Sequence, residues 1–257
     1  MDVALLIPAL NEESAMARTA AVAREAIDSG LVTSATVLDG GSTDGTGRIA
    51  VKHGIDVLHV AKTMTHLGEV LGKGDSLFRG IHSIQADWYV FLDADLGNVS
   101  LGHIHALTQP IGTDGVVFVK GGFVRVDSNG VPRAVPGGRV AETVVRPVLA
   151  TVAPRIAALS QPLSGQVAIR ADVAKKLSVV TGYGVEIGML IDIWREFGPS
   201  GIREADMGVV QNRFKPNFAL NVVEYDVRFA MYLRGLGPMP SVPNRSRPDP
   251  TVRNVRT

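Results

Sequence analysis

Two carboxylates separated by one alanine, Asp93-Ala94-Asp95, directly follow the apolar run Trp88-Tyr89-Val90-Phe91-Leu92. An unpaired carboxylate is costly to bury, so such side chains at the end of a buried strand must be paired, hydrated or bound to metal. Alternate residues of an extended chain point opposite ways. One Asp can therefore face a divalent cation while the other faces a sugar hydroxyl or water. Mg²⁺ and Mn²⁺ favour hard oxygen donors of this kind, and a diphosphate supplies further oxygens. A plain acidic turn at a strand end accounts for the triplet equally well.

Other clusters could meet a phosphorylated ligand. Gly72-Lys73-Gly74 sets a cation between glycines at a helix start, where a phosphate oxygen can be met. It is not a Walker loop, because Gly68 lies one residue too close and Gly74 stands where Ser or Thr is required. The stretch Asp39-Gly40-Gly41-Ser42-Thr43-Asp44 suits ribose or base hydroxyls, or plain helix capping. None of His53, His59, His66, His82, His103 and His105 has metalloprotease spacing. Serine-hydrolase chemistry lacks its Gly-x-Ser-x-Gly signature, and no histidine follows His105. The absence of cysteine removes disulfides and thiolate chemistry.

The elements that must position these residues alternate through the first half. Val3–Ile7, Ala35–Leu38, Val57–Val60 and Trp88–Leu92 read as strands, separated by helical segments at 14–27, 49–53 and 76–84. Alternation of this kind predicts an α/β fold with a parallel, doubly wound sheet. Ligands of such sheets bind beyond the carboxyl ends of the strands, where all the polar clusters fall. In the second half, Val116–Lys120 and Gly122–Val126 read as two strands flanking a glycine, with Asp127-Ser128-Asn129-Gly130 as a turn. Residues 139–150 read as a helix, Gln161–Gly165 as a loop, Val167–Ile169 as a strand and Val185–Trp194 as a helix.

Composition is compatible with this. The chain has 257 residues, 46% hydrophobic and 20% charged, which suits a packed core rather than disorder. Met1–Leu10 has no basic n-region, and no apolar run reaches the ~18 residues of a membrane span. A cytoplasmic protein without membrane association is expected. The net charge of +1 names no partner, but residues 203–257 carry nine Lys/Arg against five Asp/Glu. That excess reads as a solvated tail, with 236–257 expected to be flexible.

Taken in order, Pro8-Ala9-Leu10-Asn11-Glu12-Glu13, the Asp39–Asp44 turn, Gly72-Lys73-Gly74 and Asp93-Ala94-Asp95 resemble the donor half of a GT-A (Rossmann-like) glycosyltransferase. Val119-Lys120-Gly121-Gly122-Phe123, Gly137-Gly138-Arg139-Val140-Ala141-Glu142-Thr143, Gln161–Gly165 and Gly182-Tyr183-Gly184-Val185-Glu186-Ile187-Gly188 narrow the resemblance to the glucosyl-3-phosphoglycerate synthase family. The resemblance spans roughly residues 3–215. It implies a donor-binding half at 1–115 and an acceptor-binding half at 116–235. It also implies a retaining transferase that moves glucose or a related sugar from a UDP-sugar to 3-phosphoglycerate or a similar small phosphorylated acid, with Mg²⁺ or Mn²⁺.

By matching positions, Pro8, Ala9, Leu10, Glu12 and Ser42 would surround the nucleoside. Lys73 would meet phosphate, Asp93 the ribose or metal, Ala94 the donor and Asp95 the metal. Tyr183 and Glu186 would shape the sugar pocket, and Asp95, Lys73 and Glu186 would carry catalysis. Gly138, Arg139 and Thr143 would hold the acceptor, because a guanidinium beside backbone N–H groups suits phosphate or carboxylate. Two positions depart from the family pattern: Asn212 stands where a metal-contacting His is expected, and Phe214 where an acceptor-side Asn is expected. An amide oxygen at Asn212 can still bind a hard cation. These departures and the Arg-bearing tail keep two alternatives open: the same donor chemistry on a hydroxymethylated DNA base, or a nucleotide-sugar-binding protein without catalysis. A homodimer is also compatible with the sequence.

Overall fold

The computed structural model describes residues 1–211, 217–240 and 250–254, the side chains of 217–220 excepted. Asn212 and Phe214 therefore lie outside the described residues. In chain order the first half runs β1 (Val3–Ala9), α1 (Glu13–Asp28), β2 (Ser34–Asp39), α2 (Thr46–Lys52), β3 (Asp56–His59), α3 (Lys73–Ser83), β4 (Trp88–Phe91) and α4 (Leu101–Thr108). The second half continues with β5 (Phe118–Val126), α5 (Arg146–Val152), α6 (Pro154–Ala157), β6 (Val167–Arg170) and α7 (Ala171–Ala174). It closes with β7 (Val179–Val180), α8 (Val185–Phe197), β8 (Ile202–Gln211), α9 (Asn217–Tyr232) and β9 (Val252–Arg253).

One sheet organises the chain in the order β3-β2-β1-β4-β6-β5-β8. The strands β3, β2, β1 and β4 are parallel, as the alternation predicts. Strand β6 runs antiparallel to both β4 and β5, and β8 returns parallel to β5. Because side chains alternate along a strand, the apolar run of β1 feeds two cores. Ala4 and Leu6 join Phe78, Ile81 and Ile187 on one face, while Leu5 and Ile7 join Met16, Ala20 and Ile104 on the other. Helices α3 and α8 cover the first face, α1 and α4 the second. The result is the doubly wound, GT-A-like α/β architecture.

The second half differs in detail from its sequence reading. The two strands expected around Gly121 are one continuous β5, whose register against β8 shifts between Gly122 and Val124. The glycines stay in register, Gly121 facing Ala205 and Gly122 facing Asp206, and the extra residue lies on β8, where Gly208 adopts φ 68°. The helix expected over 139–150 is present, but its turn at Ala141–Val145 is widened to the π form before α5 begins. Part of the segment expected as a flexible tail is built into the fold. Strand β9 pairs antiparallel with β7, and the Arg253 guanidinium donates to Asp75 Oδ1 at 3.1 Å and to the Leu67 carbonyl at 3.0 Å. Asp75 is fully buried and also receives Arg79, so its charge is matched from two sides.

Candidate active site

The carboxyl ends of β1 and β4 open on a cavity of about 760 Å³. The loop after β1 forms one wall, with Pro8, Ala9, Leu10 and Glu12 lining it. Asn11 holds this loop with a left-handed backbone (φ 55°), which Asn tolerates better than most residues. Its N–H donates to Ser42 Oγ at 2.9 Å, and its side-chain oxygen accepts the Thr43 N–H at 2.8 Å. The loops after β1 and β2 are thereby interlocked. Asp39 turns inward on its own loop, accepting the Ser42 N–H at 2.9 Å and facing His59 Nδ1 at 3.2 Å. Asp44 accepts from Thr46 and from the Glu13 N–H, and the Thr46 hydroxyl is the chief cause holding its carboxyl below the usual range. Both carboxylates of this turn are engaged by backbone N–H groups, Asp39 within its own loop and Asp44 by Glu13 and Thr46 at the starts of α1 and α2.

Lys73 stands at the first turn of α3 and is the centre of the site. Its ammonium donates to Asp93 Oδ1 and lies 2.7 Å from Glu186 Oε1. Burial opposes the charge, but the two carboxylates outweigh it and raise the lysine above its ordinary pKa. The flanking glycines have separate geometric reasons. Gly72 adopts φ 106°, and a Cβ on Gly74 would overlap the Val180 carbonyl where α3 packs against β7. The Gly-Lys-Gly pattern is thus explained by packing before any phosphate is invoked. The second oxygen of Asp93 accepts the Gln166 amide at 2.9 Å, and Gln166 is in turn oriented by Ser164 Oγ at 2.9 Å. Asp93 therefore positions Lys73, and both its oxygens are engaged.

Beneath this cluster lies Lys120, fully buried on β5, donating to the Ser164 carbonyl at 2.7 Å. Burial pushes its ammonium down to about 7, partly opposed by Glu186 and reinforced by Lys73. Tyr183 lines the cavity from the turn before α8, where its N–H donates to the buried Asp226 carboxylate at 2.9 Å. On the opposite wall Gly138 and Arg139 begin the helix that leads into α5. Arg139 is exposed and reaches α9, donating to Asn221 at 3.1 Å and approaching Glu224 at 3.5 Å.

The structure thus brings Pro8, Ala9, Leu10, Glu12, Lys73, Asp93, Ala94, Asp95, Tyr183, Glu186, Gly138 and Arg139 to one cavity. It does not bring Ser42 or Thr143 to the lining. Ser42 acts on Asn11, and Thr143 Oγ1 is spent on the Arg139 carbonyl at 2.8 Å. Among the lining or underlying residues that the sequence reading missed are Arg125, Arg133, Gln166 and Lys120. For a divalent cation the described residues contain no cluster of three acidic or histidine side chains. They do offer Asp95, which lines the cavity and has no hydrogen-bond or ion-pair partner among them. One hard carboxylate facing an open cavity fits a cation that takes most of its oxygens from a bound diphosphate and water.

The profile of glycosyl transferase family 2 matches residues 4–149. Glucosyl-3-phosphoglycerate synthase from Mycolicibacterium paratuberculosis is 34% identical over 230 residues, covering 88% of this chain and 70% of that protein. The chain belongs to the glucosyl-3-phosphoglycerate synthase-like family of glycosyltransferases.

The solved structures agree with that membership. Glucosyl-3-phosphoglycerate synthase from Mycobacterium tuberculosis, in complex with Mn²⁺, UDP and glucosyl-3-phosphoglycerate, superposes with a TM-score of 0.83 at 33% identity, covering 92% of this chain and 81% of that one. Mannosyl-3-phosphoglycerate synthase from Rubrobacter xylanophilus gives a TM-score of 0.85 at 27% identity, covering 91% and 74%. This glycosyltransferase thus shares its fold with synthases for two sugars. Among its described residues no helix is long and apolar enough to cross a membrane.

Proposed function

We propose that this glycosyltransferase moves glucose from UDP-glucose to 3-phosphoglycerate, or to a small phosphorylated acid of the same kind, with Mg²⁺ or Mn²⁺ and with retention at the anomeric carbon. The observation that carries this reading is the continuity of one cavity from the loop after β1 to the start of the helix at Gly138. A nucleotide can lie at one end and a small acid at the other, with Lys73 and Glu186 between them.

Each residue has a task that its geometry supports. Pro8–Glu12 receive the nucleoside. Asp93 and Glu186 keep Lys73 charged and aimed into the cavity, so that it can neutralise a departing phosphate oxygen. A bound cation adds to that neutralisation as the diphosphate leaves. Asp95 would hold it, with Asn212 as a candidate further donor and Asp93 contributing through Lys73 instead. Glu186 and Tyr183 shape the sugar pocket. With the acceptor on the face that the diphosphate leaves, the leaving phosphate oxygen can take the acceptor proton. No separate general base is then needed, in keeping with a described cavity lining that contains no histidine. The Arg139 region receives the acceptor. A small phosphorylated acceptor of this kind is in keeping with a cytoplasmic enzyme.

Of the tail arginines that motivated a nucleic-acid acceptor, Arg253 is the one among the described residues, and it is committed to Asp75. The test is direct: purified protein, UDP-glucose and Mn²⁺ with or without 3-phosphoglycerate, following UDP release and the anomeric signal of the product by NMR. Acceptor-dependent UDP release with an α-linked product is expected. UDP release indifferent to the acceptor refutes the acceptor assignment.

A further inference from the structure

The turn Asp127–Gly130 folds the end of β5 back into a short antiparallel ribbon. Val126 bridges Pro132, the Asp127 N–H donates to the Val131 carbonyl at 3.0 Å, and the Arg133 N–H donates to the Arg125 carbonyl at 2.9 Å. In this register Arg125 stands directly opposite Arg133. Side chains directly opposite on a ribbon share a face, and alternation puts Phe123, Arg125 and Asp127 on the same side of one strand. That side is the cavity wall: Phe123, Arg125, Asp127, Val131 and Arg133 all line it.

Two like charges directly opposite each other destabilise a ribbon. Arg125 makes the conflict sharper. Its Nε is buried without a hydrogen-bond partner, and it has no ion pair among the described residues. Burial and then the charge of Arg133 both lower its basicity, with Asp93 and Asp95 opposing from across the cavity. Asp127 lies near Arg133 and offsets part of that second charge. The Arg125 guanidinium also lies against Gly138: a Cβ built there would be 3.0 Å from Arg125 Nη1. The unmatched cation is therefore placed beside the backbone that opens the acceptor-side helix.

We propose that Arg125 and Arg133 form an anion clamp that receives an acidic group of the acceptor, its phosphate or its carboxylate. The proposal rests on the acceptor reading given above and adds to it a specificity element on a different segment from Gly138–Thr143. A small acid bearing two anionic groups would then be held at two places, one group by the start of the helix and the other by the ribbon. Planar guanidinium forks suit carboxylate and phosphate oxygens, and an anion between the two arginines removes their mutual repulsion.

The test compares Arg133→Gln, Arg125→Lys and the surface control Arg155→Gln by steady-state kinetics and by calorimetric titration of 3-phosphoglycerate into enzyme with UDP and Mn²⁺. Arg133→Gln is expected to raise the acceptor KM and Kd by roughly tenfold or more, as loss of a charged hydrogen bond does, while the UDP-glucose KM stays within about twofold. Arg125→Lys, which keeps charge but loses the fork, should show the same split, and Arg155→Gln no change. Glycerol 3-phosphate, lacking the carboxylate, says which acidic group the clamp takes: if it is the carboxylate, Arg133→Gln leaves that acceptor's KM unchanged. A rise in donor KM equal to that for the acceptor assigns the pair to the diphosphate and overturns the proposal. So does a folded Arg133→Gln enzyme with unaltered acceptor KM and Kd. If the wild type binds phosphoglycerate but transfers no glucose, the functional reading fails while the calorimetric Kd of Arg133→Gln still decides the clamp.

Discussion

The two walls of the cavity treat charge differently. On the donor side, the carboxylates of the strand-end loops are mostly satisfied from within: Asp39 by its own loop and His59, Asp44 by Thr46 and Glu13, and Asp93 by Lys73 and Gln166. On the acceptor side, the ribbon sets Arg125 opposite Arg133 and leaves Arg125 without a hydrogen-bonded carboxylate among the described residues. The donor wall is therefore rigid before a nucleotide arrives, with Asp95 as its open position. The acceptor wall is completed by an anion. Preorganisation on one side and an unmatched charge on the other suit a reaction in which the leaving group must be stabilised and the acceptor must be selected.

The comparison can be broken most decisively at Asp95. Asp95→Ala is expected to lower transfer by roughly a thousandfold or more and to remove the stimulation by Mn²⁺, since it deletes the carboxylate placed to hold the cation. Near-normal turnover would remove the metal role. Lys73→Ala comes next, with a loss in kcat of about a hundredfold or more, the usual scale for removing a preorganised charge at a developing anion. It also leaves Asp93 and Glu186 without their shared partner, so a fall in thermal midpoint should accompany the kinetic loss.

A smaller effect, in stability alone, is expected from Lys120. Its folded-state value of about 7 lies below the ordinary lysine value of 10.5, so between those limits the unfolded chain binds more protons than the native one. Stability must then rise with pH across that window. The burden is fully present below about pH 7 and relieved as pH rises toward 10.5. Lys73, shifted the other way, contributes a loss only above that window. Thermal denaturation of the metal-free protein from pH 6.5 to 9.5 should show this upward slope, and Lys120→Met should flatten it. The least effect on the fold is expected from Arg139→Ala. Its contacts with Asn221 and Glu224 are exposed, worth about 1 kcal/mol or less, while the acceptor KM should rise severalfold. If UDP-glucose hydrolysis fails instead, Arg139 belongs to the donor wall.

Most of the donor wall could be read from the chain because it follows a simple alternation. Apolar runs end at Pro8, Asp39 and Asp93, and each end is a loop at the carboxyl edge of a parallel sheet. The acceptor wall resisted because its elements are irregular. Gly121-Gly122 suggested a break where β5 runs straight through, the extra residue lying on β8 instead. Strand β8 carries charged residues along the exposed edge of the sheet, and its apolar pattern is thin. Arg125 and Arg133 sit in a loop-rich stretch of sequence that carries no motif. Taking Asp127–Gly130 as a four-residue turn pairs 125 with 132; the loop is one residue longer, with Asp127 facing Val131, and only that register sets Arg125 opposite Arg133. Lys120 could have been flagged, since a lysine ending an apolar run such as Val116–Val119 is placed for burial. Asn212 and Phe214 fall outside the described residues, and their roles stay with the sequence.

The fastening of Arg253 to Asp75 ties together residues 178 positions apart. Contacts so distant in sequence close late, because the entropy of closing the loop must be met before they form. During synthesis the strands around β1 can pair as soon as they emerge, but the turn bearing Lys73 gains its last clasp only once residue 253 is made. Competence for catalysis would then wait for β9, well after the sheet itself. A chain cut short before β9 would be a folded vessel with an unfastened Lys73 turn.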